Sequence, residues 1–177
     1  MRPLPKTILP DGDPHRTLRL VGEITPDSSG ALTDALLRFD AESQQPIVLC
    51  LTTPGGCVHS GLALIDVMAH IRSPVFTIAM GMVASMGAII LAVGQPGYRY
   101  AFTHTRILVH EVSGAVSGHP EKVASSARLQ QESARRIEQI LLRHTRLTKS
   151  QLRQLLPREQ FLTSHEAKYM GLIDHIL

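Results

Sequence analysis

The sequence predicts an α/β domain, and three observations carry that expectation. Short apolar runs, IVLCL at 47–51, VFTIAM at 75–80 and RILVH at 106–110, alternate with segments whose apolar residues recur at helical spacing. Turn formers punctuate the alternation: TPGG at 53–56, Pro74, GQPG at 94–97 and the Gly/Ser-rich SGAVSGHP at 113–120. The 177 residues are 44% apolar, enough for one sizeable core, and with aromatics at 4% and no Trp that core has to be aliphatic.

In chain order, residues 1–16 carry four prolines and two aspartates and read as an N-terminal arm. Thr17 to Val21 is a short strand. Ser28 to Ala41 follows the helical period through Leu32, Ala35, Leu36 and Phe39, with Asp27 or Ser28 as its N-cap. IVLCL is a buried strand broken by TPGG, and GLALIDVMAHI is a helix that Pro74 brings to an end. VFTIAM is a strand closed by Gly81, and Ser85 to Val93 is an apolar helix. RILVH is a strand ending at His110. Glu121 to Arg146 reads as one long helix with a charged face, and Thr148 to Leu156 as a short one. PREQFLT is an extended return, and SHEAKYMG is a last helix that stops at Gly171. The chain contains no internal repeat, and 17–177 reads as one domain.

Several function classes are disfavoured at this level. The net charge is +3, with no Lys/Arg block or basic-aromatic patch, so no nucleic-acid surface is expected. Cys50 and Cys57 lie too close together for a disulfide framework, and a reducing, cytoplasmic setting fits them. The N-terminus shows no apolar signal region. The stretch 73–98 has no charged residue and is long enough to cross a bilayer, but Gly81, Ser85 and Gly87 interrupt it. A buried strand followed by a buried helix is the better reading, and no membrane contact is expected. No HExxH-type spacing appears, so no metal or cofactor is expected.

Three features point to chemistry. Ser85, in GMVASMGA, follows a strand and opens a helix between the small residues Ala84 and Gly87. A strand–turn–helix serine resembles a nucleophile elbow, and a helix start there would favour an oxyanion. Taken alone, such a serine is more often an N-cap. Gly55-Gly56 ends a strand where a backbone amide can approach a ligand, though an isolated PGG is more often a plain turn. His110 sits at a strand end, where catalytic groups gather in α/β folds, but it is one of nine histidines.

The strings TPGGCVHSGLALIDVMAHI, TIAMGMVASMGA, RILVHE and REQFLTSHEAKYMGLID stand in the order and spacing of the Clp protease proteolytic subunit, which the chain resembles from about Thr17 to its end. The resemblance implies a crotonase-like αββ superhelix with a handle region at about 111–146, and a serine endopeptidase that cleaves unfolded polypeptide. By position it implies Ser85 as nucleophile, His110 as general base, and the amides of Gly56 and Met86 as oxyanion donors. It also implies that Gly56, Cys57 and Val58, with Ser113, Gly114 and Ala115, flank an extended substrate. It implies a homo-oligomeric ring of seven, single or stacked as fourteen, with an AAA+ unfoldase or a paralogous subunit as partner.

The chain departs from the family pattern at informative places. The family acid is an Asp after an Arg; here Arg158 is followed by Glu159, which the resemblance implies as third member of the triad, the alternative being a surface glutamate beside a damaged triad. Pro157 stands where an acidic residue helps to pair two rings, and Lys122 where an acid is common. Glu111-Val112 replaces Gln-Pro, and Val48 and Cys50 replace tyrosines of the unfoldase dock. A non-catalytic or weakly active subunit of a mixed ring is therefore the alternative reading. A coenzyme A enzyme of the wider fold is disfavoured by the nucleophile string.

Overall fold

The computed structural model describes residues 15–113 and 117–177. Its centre is a parallel array of β1 (Thr17–Val21), β2 (Ile47–Thr53), β3 (Val75–Ala84), β4 (Arg99–Ala101) and, after the rest of the chain, β7 (His175–Ile176), in the order β1-β2-β3-β4-β7. β2 is buried along almost its whole length, as its unbroken aliphatic run requires of a central parallel strand.

β3 positions the site. Its first part, Thr77 to Ala79, pairs with β4, while Met82 to Ala84 pairs with β5 (Arg106–Leu108). Gly81 separates the two parts at φ 64°, and the β2–β3 register shifts alongside it, between Leu51 and Thr53. The glycine thus bends the strand and does not close it, contrary to the sequence expectation. Past the bend, β5 runs parallel to β3 and is itself paired antiparallel with β6 (Phe161–Thr163), within the expected return segment.

Helices α1 (Pro26–Glu42), α2 (Val58–His70) and α3 (Met86–Val93) pack into the main core through Leu32, Leu36, Leu64, Ile65 and nearly all of α3. The N-cap of α1 is Thr25, not Asp27 or Ser28. Its hydroxyl accepts the Ser28 N–H at 3.1 Å, and the Ser28 hydroxyl accepts the Thr25 N–H at 2.9 Å, a capping box that also admits Pro26 into the first turn. The uncharged stretch 73–98 resolves into β3 and the eight-residue α3. No helix among the described residues is long and apolar enough to cross a membrane.

Helix α4 (Pro120–His144) buries Ser133, Ile137 and Leu141, one stripe at a spacing of four in its second half. Its first half, as far as Glu132, is almost wholly exposed. α5 (Lys149–Leu155), a 3-10 turn (Leu156–Arg158) and α6 (Ser164–Tyr169) complete the chain, and Gly171 at φ 76° ends α6 as its sequence predicts.

Two buried arginines hold distant segments together. Arg16, 5% exposed, donates to the carbonyls of Phe39, Ser43 and Gln45 at 2.8–3.1 Å and so satisfies the C-terminal end of α1. Arg99 forms a two-pronged pair with Asp174 (2.8 and 2.7 Å) and donates to the carbonyls of Ala92 and His144, which join the ends of α3 and α4 to β4. A second, smaller cluster contains Val48, Cys50, Phe76, Ile78 and Tyr100. Val48 and Cys50, at the two positions where the resemblance implies tyrosines, are thus buried.

Candidate active site

The C-terminal ends of β2, β3 and β5 converge on one cleft of about 240 Å³ whose lining includes Gly56, Ser85, Met86 and His110. Ser85 joins β3 to α3 at φ 55°, ψ −128°, a conformation rarely taken by a residue with a Cβ. Such backbone strain costs roughly 1–3 kcal/mol and persists only where the surroundings impose it. Here they do: the Ser85 N–H donates to the Leu108 carbonyl at 2.8 Å, and the Ser85 carbonyl accepts the Ala88 N–H at 2.9 Å. The serine is thereby stapled to both the neighbouring strand and the following helix. Its side chain makes no capping hydrogen bond, so the simple N-cap explanation of this serine fails.

The Gly55-Gly56 turn fits against that junction. A Cβ on Gly55 would lie 2.5 Å from Ser85 Cβ, and one on Gly56 would lie 2.3 Å from the Ile24 carbonyl oxygen. Both residues also have positive φ, 99° and 145°. Glycine is therefore required twice, by space and by dihedral. The neighbouring amides are engaged: Gly55 N–H donates to Thr53 Oγ1 at 3.0 Å and Cys57 N–H to the Ile24 carbonyl at 2.8 Å. The Gly56 N–H between them has no acceptor among the described residues. The Met86 N–H, in the first turn of α3, has no intrahelical acceptor. Two unspent donors thus border the cleft.

His110 follows β5 after the fully buried Val109, and its side chain is 19% exposed. Its Nδ1 lies 3.3 Å from Glu159 Oε1. Glu159 adopts a left-handed conformation, φ 47°, at the end of the 3-10 turn, and its side chain is 71% exposed. With the ring proton on Nδ1 facing this carboxylate, Nε2 is left as the acceptor. The contact is longer than the 2.7–2.9 Å of a tight charge-assisted bond, and the carboxylate is open to solvent.

The cleft brings together Gly56, Val58, Ser85, Met86, His110 and Ser113. Cys57 is exposed beside them and is not part of the lining; hydrogen bonding from the Ser60 hydroxyl lowers its thiol pKa. Gly114 and Ala115 lie outside the described residues. Gly55 matters through contact with Ser85, and its place in the PGG turn was the signal for it. Ile89 and Ile137, also in the lining, escape a reading of single residues because they read as ordinary helix-core positions.

A strained serine at a strand–helix junction shares a cleft with a histidine that follows the adjoining strand, and that histidine faces a carboxylate from the end of the 3-10 turn: the residue types of a Ser–His–acid set on an α/β scaffold. The sequence comparisons give the lineage. The chain belongs to the Clp protease family, whose description, Clp protease, matches residues 13–177. It is 36% identical over 163 residues to the ATP-dependent Clp protease proteolytic subunit 2 of Cutibacterium acnes (strain DSM 16379 / KPA171202), covering 92% of this chain and 77% of that protein.

Proposed function

We propose that the protein is a serine endopeptidase subunit that cleaves unfolded polypeptides or peptides through an acyl-enzyme. The observation that carries this reading is the strained Ser85 turn, whose hydroxyl caps nothing, in the same cleft as His110, whose Nδ1 faces Glu159. In this reading His110 Nε2 takes the Ser85 proton as Oγ attacks the scissile carbonyl. Glu159 keeps the ring in the correct tautomer and stabilises the imidazolium. The Gly56 and Met86 amides receive the oxyanion. The imidazolium then protonates the leaving amine, and water activated by the same histidine releases the acyl group.

Gly56 to Val58 on one side and Ser113 to Ala115 on the other pair with the main chain of an extended substrate. Backbone pairing of that kind suits broad specificity. The peptidase domain is 17–177, with the handle region at about 111–146, in a cytoplasmic ring of seven copies, single or stacked. An AAA+ unfoldase or a paralogous subunit is its partner class.

The proposal is tested with Ser85→Ala, which deletes one hydroxyl. Peptide hydrolysis should fall to the residue left by the oxyanion donors, a loss on the order of 10⁶, while melting is retained. Hydrolysis that survives in a pure sample refutes the assignment. One observation favours a second reading, a weakly active subunit of a mixed ring: the acid is a glutamate, 71% exposed, at 3.3 Å.

A further inference from the structure

We infer that Glu111 is a specificity-determining residue, selecting substrates that place a Lys or Arg side chain beside it. This inference rests on the peptidase reading for its biological meaning but not for its test. Glu111 directly follows His110 and lines the cleft that holds Ser85. Among the described residues, His110 and Glu111 are the only ionisable groups in that lining, and no Lys or Arg is part of it. The cleft next to the reacting groups therefore presents one carboxylate and no cationic Lys or Arg side chain to a substrate.

The position of that charge is set by the backbone. The Glu111 N–H donates to the Leu156 carbonyl at 3.3 Å, and Val112 after it packs against the core. The residue is exposed, and among the described residues its carboxylate makes no ion pair. Glu111 also borders a neighbouring cavity of about 390 Å³ that contains Arg135, Arg153 and Glu138. Those two arginines line the neighbouring cavity and not the cleft that holds Ser85, and neither forms an ion pair with Glu111, so the carboxylate is open to a substrate cation and repels a substrate anion.

The test uses Ser85→Ala protein, so that binding is read without turnover. Fluorescent peptides of one sequence, carrying Lys, norleucine or Glu at each position in turn, are titrated by anisotropy at low salt. At one or two positions the Lys peptide should bind about fivefold tighter than the norleucine peptide, the worth of a solvated contact ion pair, and the Glu peptide weaker. Adding Glu111→Gln should abolish the ordering while leaving norleucine affinity unchanged, and raising salt should compress it. Equal binding of all three peptides, or an ordering that survives Glu111→Gln, overturns the inference. Hydrolysis of the norleucine peptide by the parent protein reports separately on the peptidase reading.

Discussion

Gly55→Ala probes the junction that holds Ser85. The new Cβ would lie 2.5 Å from Ser85 Cβ and 2.8 Å from the Ala84 carbonyl oxygen, whereas ordinary contact begins at 3.4 Å. Ser85 or the glycine turn must therefore give way by about 0.9 Å. Both are backbone-anchored, so neither can simply rotate aside. The cost has two parts: roughly 1–2 kcal/mol for an L residue at φ 99°, and about 1–3 kcal/mol for crowding a packed site. Gly97→Ala isolates the first part, because Gly97 has φ 86° and nothing within 4 Å of its added Cβ. At about 2–4 °C per kcal/mol for a chain of this size, Gly55→Ala should melt roughly 2–12 °C below Gly97→Ala in a thermal scan. Peptide turnover should drop on the order of 100-fold in Gly55→Ala, as expected for misplacing a reacting group by about 1 Å, and little in Gly97→Ala. If the two variants melt and turn over alike, the close contact between the glycine turn and the serine does not position the site.

Glu159→Gln removes the charge facing His110 and keeps the shape; peptide turnover should fall roughly 10²–10⁴-fold with melting unchanged, while Glu159→Asp should change turnover mildly in either direction, and a Gln variant equal to the parent would make Glu159 a bystander. Asp174→Ala strands the buried Arg99 guanidinium and should cost about 3 kcal/mol in urea unfolding at neutral pH. The Asp174 carboxyl is partly buried, which alone would raise its pKa, but the hydrogen bonds and charge of Arg99 hold it below its ordinary value. Its stabilisation is therefore complete above the unfolded value of about 4 and is lost as pH falls through the lower folded value, so the gap between parent and variant should close only in strong acid; a gap independent of pH would contradict the pair. Native mass spectrometry should find seven copies per ring, with any stack of two rings dissociating as salt is varied, since Pro157 and Lys122 stand where the resemblance implies acids at that contact; a monomer at micromolar concentration, or a stack indifferent to salt, would contradict this.

The alternation of elements was legible because each depends on local pattern: the aliphatic run of β2, the period of α1 and the Gly171 stop are short-range signals. β4 and β7 were not, because three- and two-residue strands carry no periodicity and exist only by pairing with β3 and with each other. The continuation of β3 past Gly81 was hidden for the same reason, since its second half is defined by β5, whose residues come some twenty positions later. At the site, Ser85, His110 and Gly56 were visible as motif positions, but no residue pattern showed that Ser85 has a positive φ or that the Gly56 amide is unspent. Both are consequences of tertiary packing. The helix-core positions Ile89 and Ile137 gave no functional signal, because a cleft wall and a core stripe use the same side chains. The glutamate in place of the family's aspartate was visible, whereas its high exposure depends on the left-handed turn that carries it.

The central claim is that Ser85 is an activated nucleophile, and covalent labelling tests it most directly. The protein is treated with a fluorophosphonate, digested and mapped by mass spectrometry, with heat-denatured and Ser85→Ala samples alongside. The account predicts one adduct per chain at Ser85, absent after heating and absent in the variant, because only the folded His110–Glu159 pair can draw off the serine proton. No adduct in the folded protein, or an adduct at another serine that persists in Ser85→Ala, would contradict it.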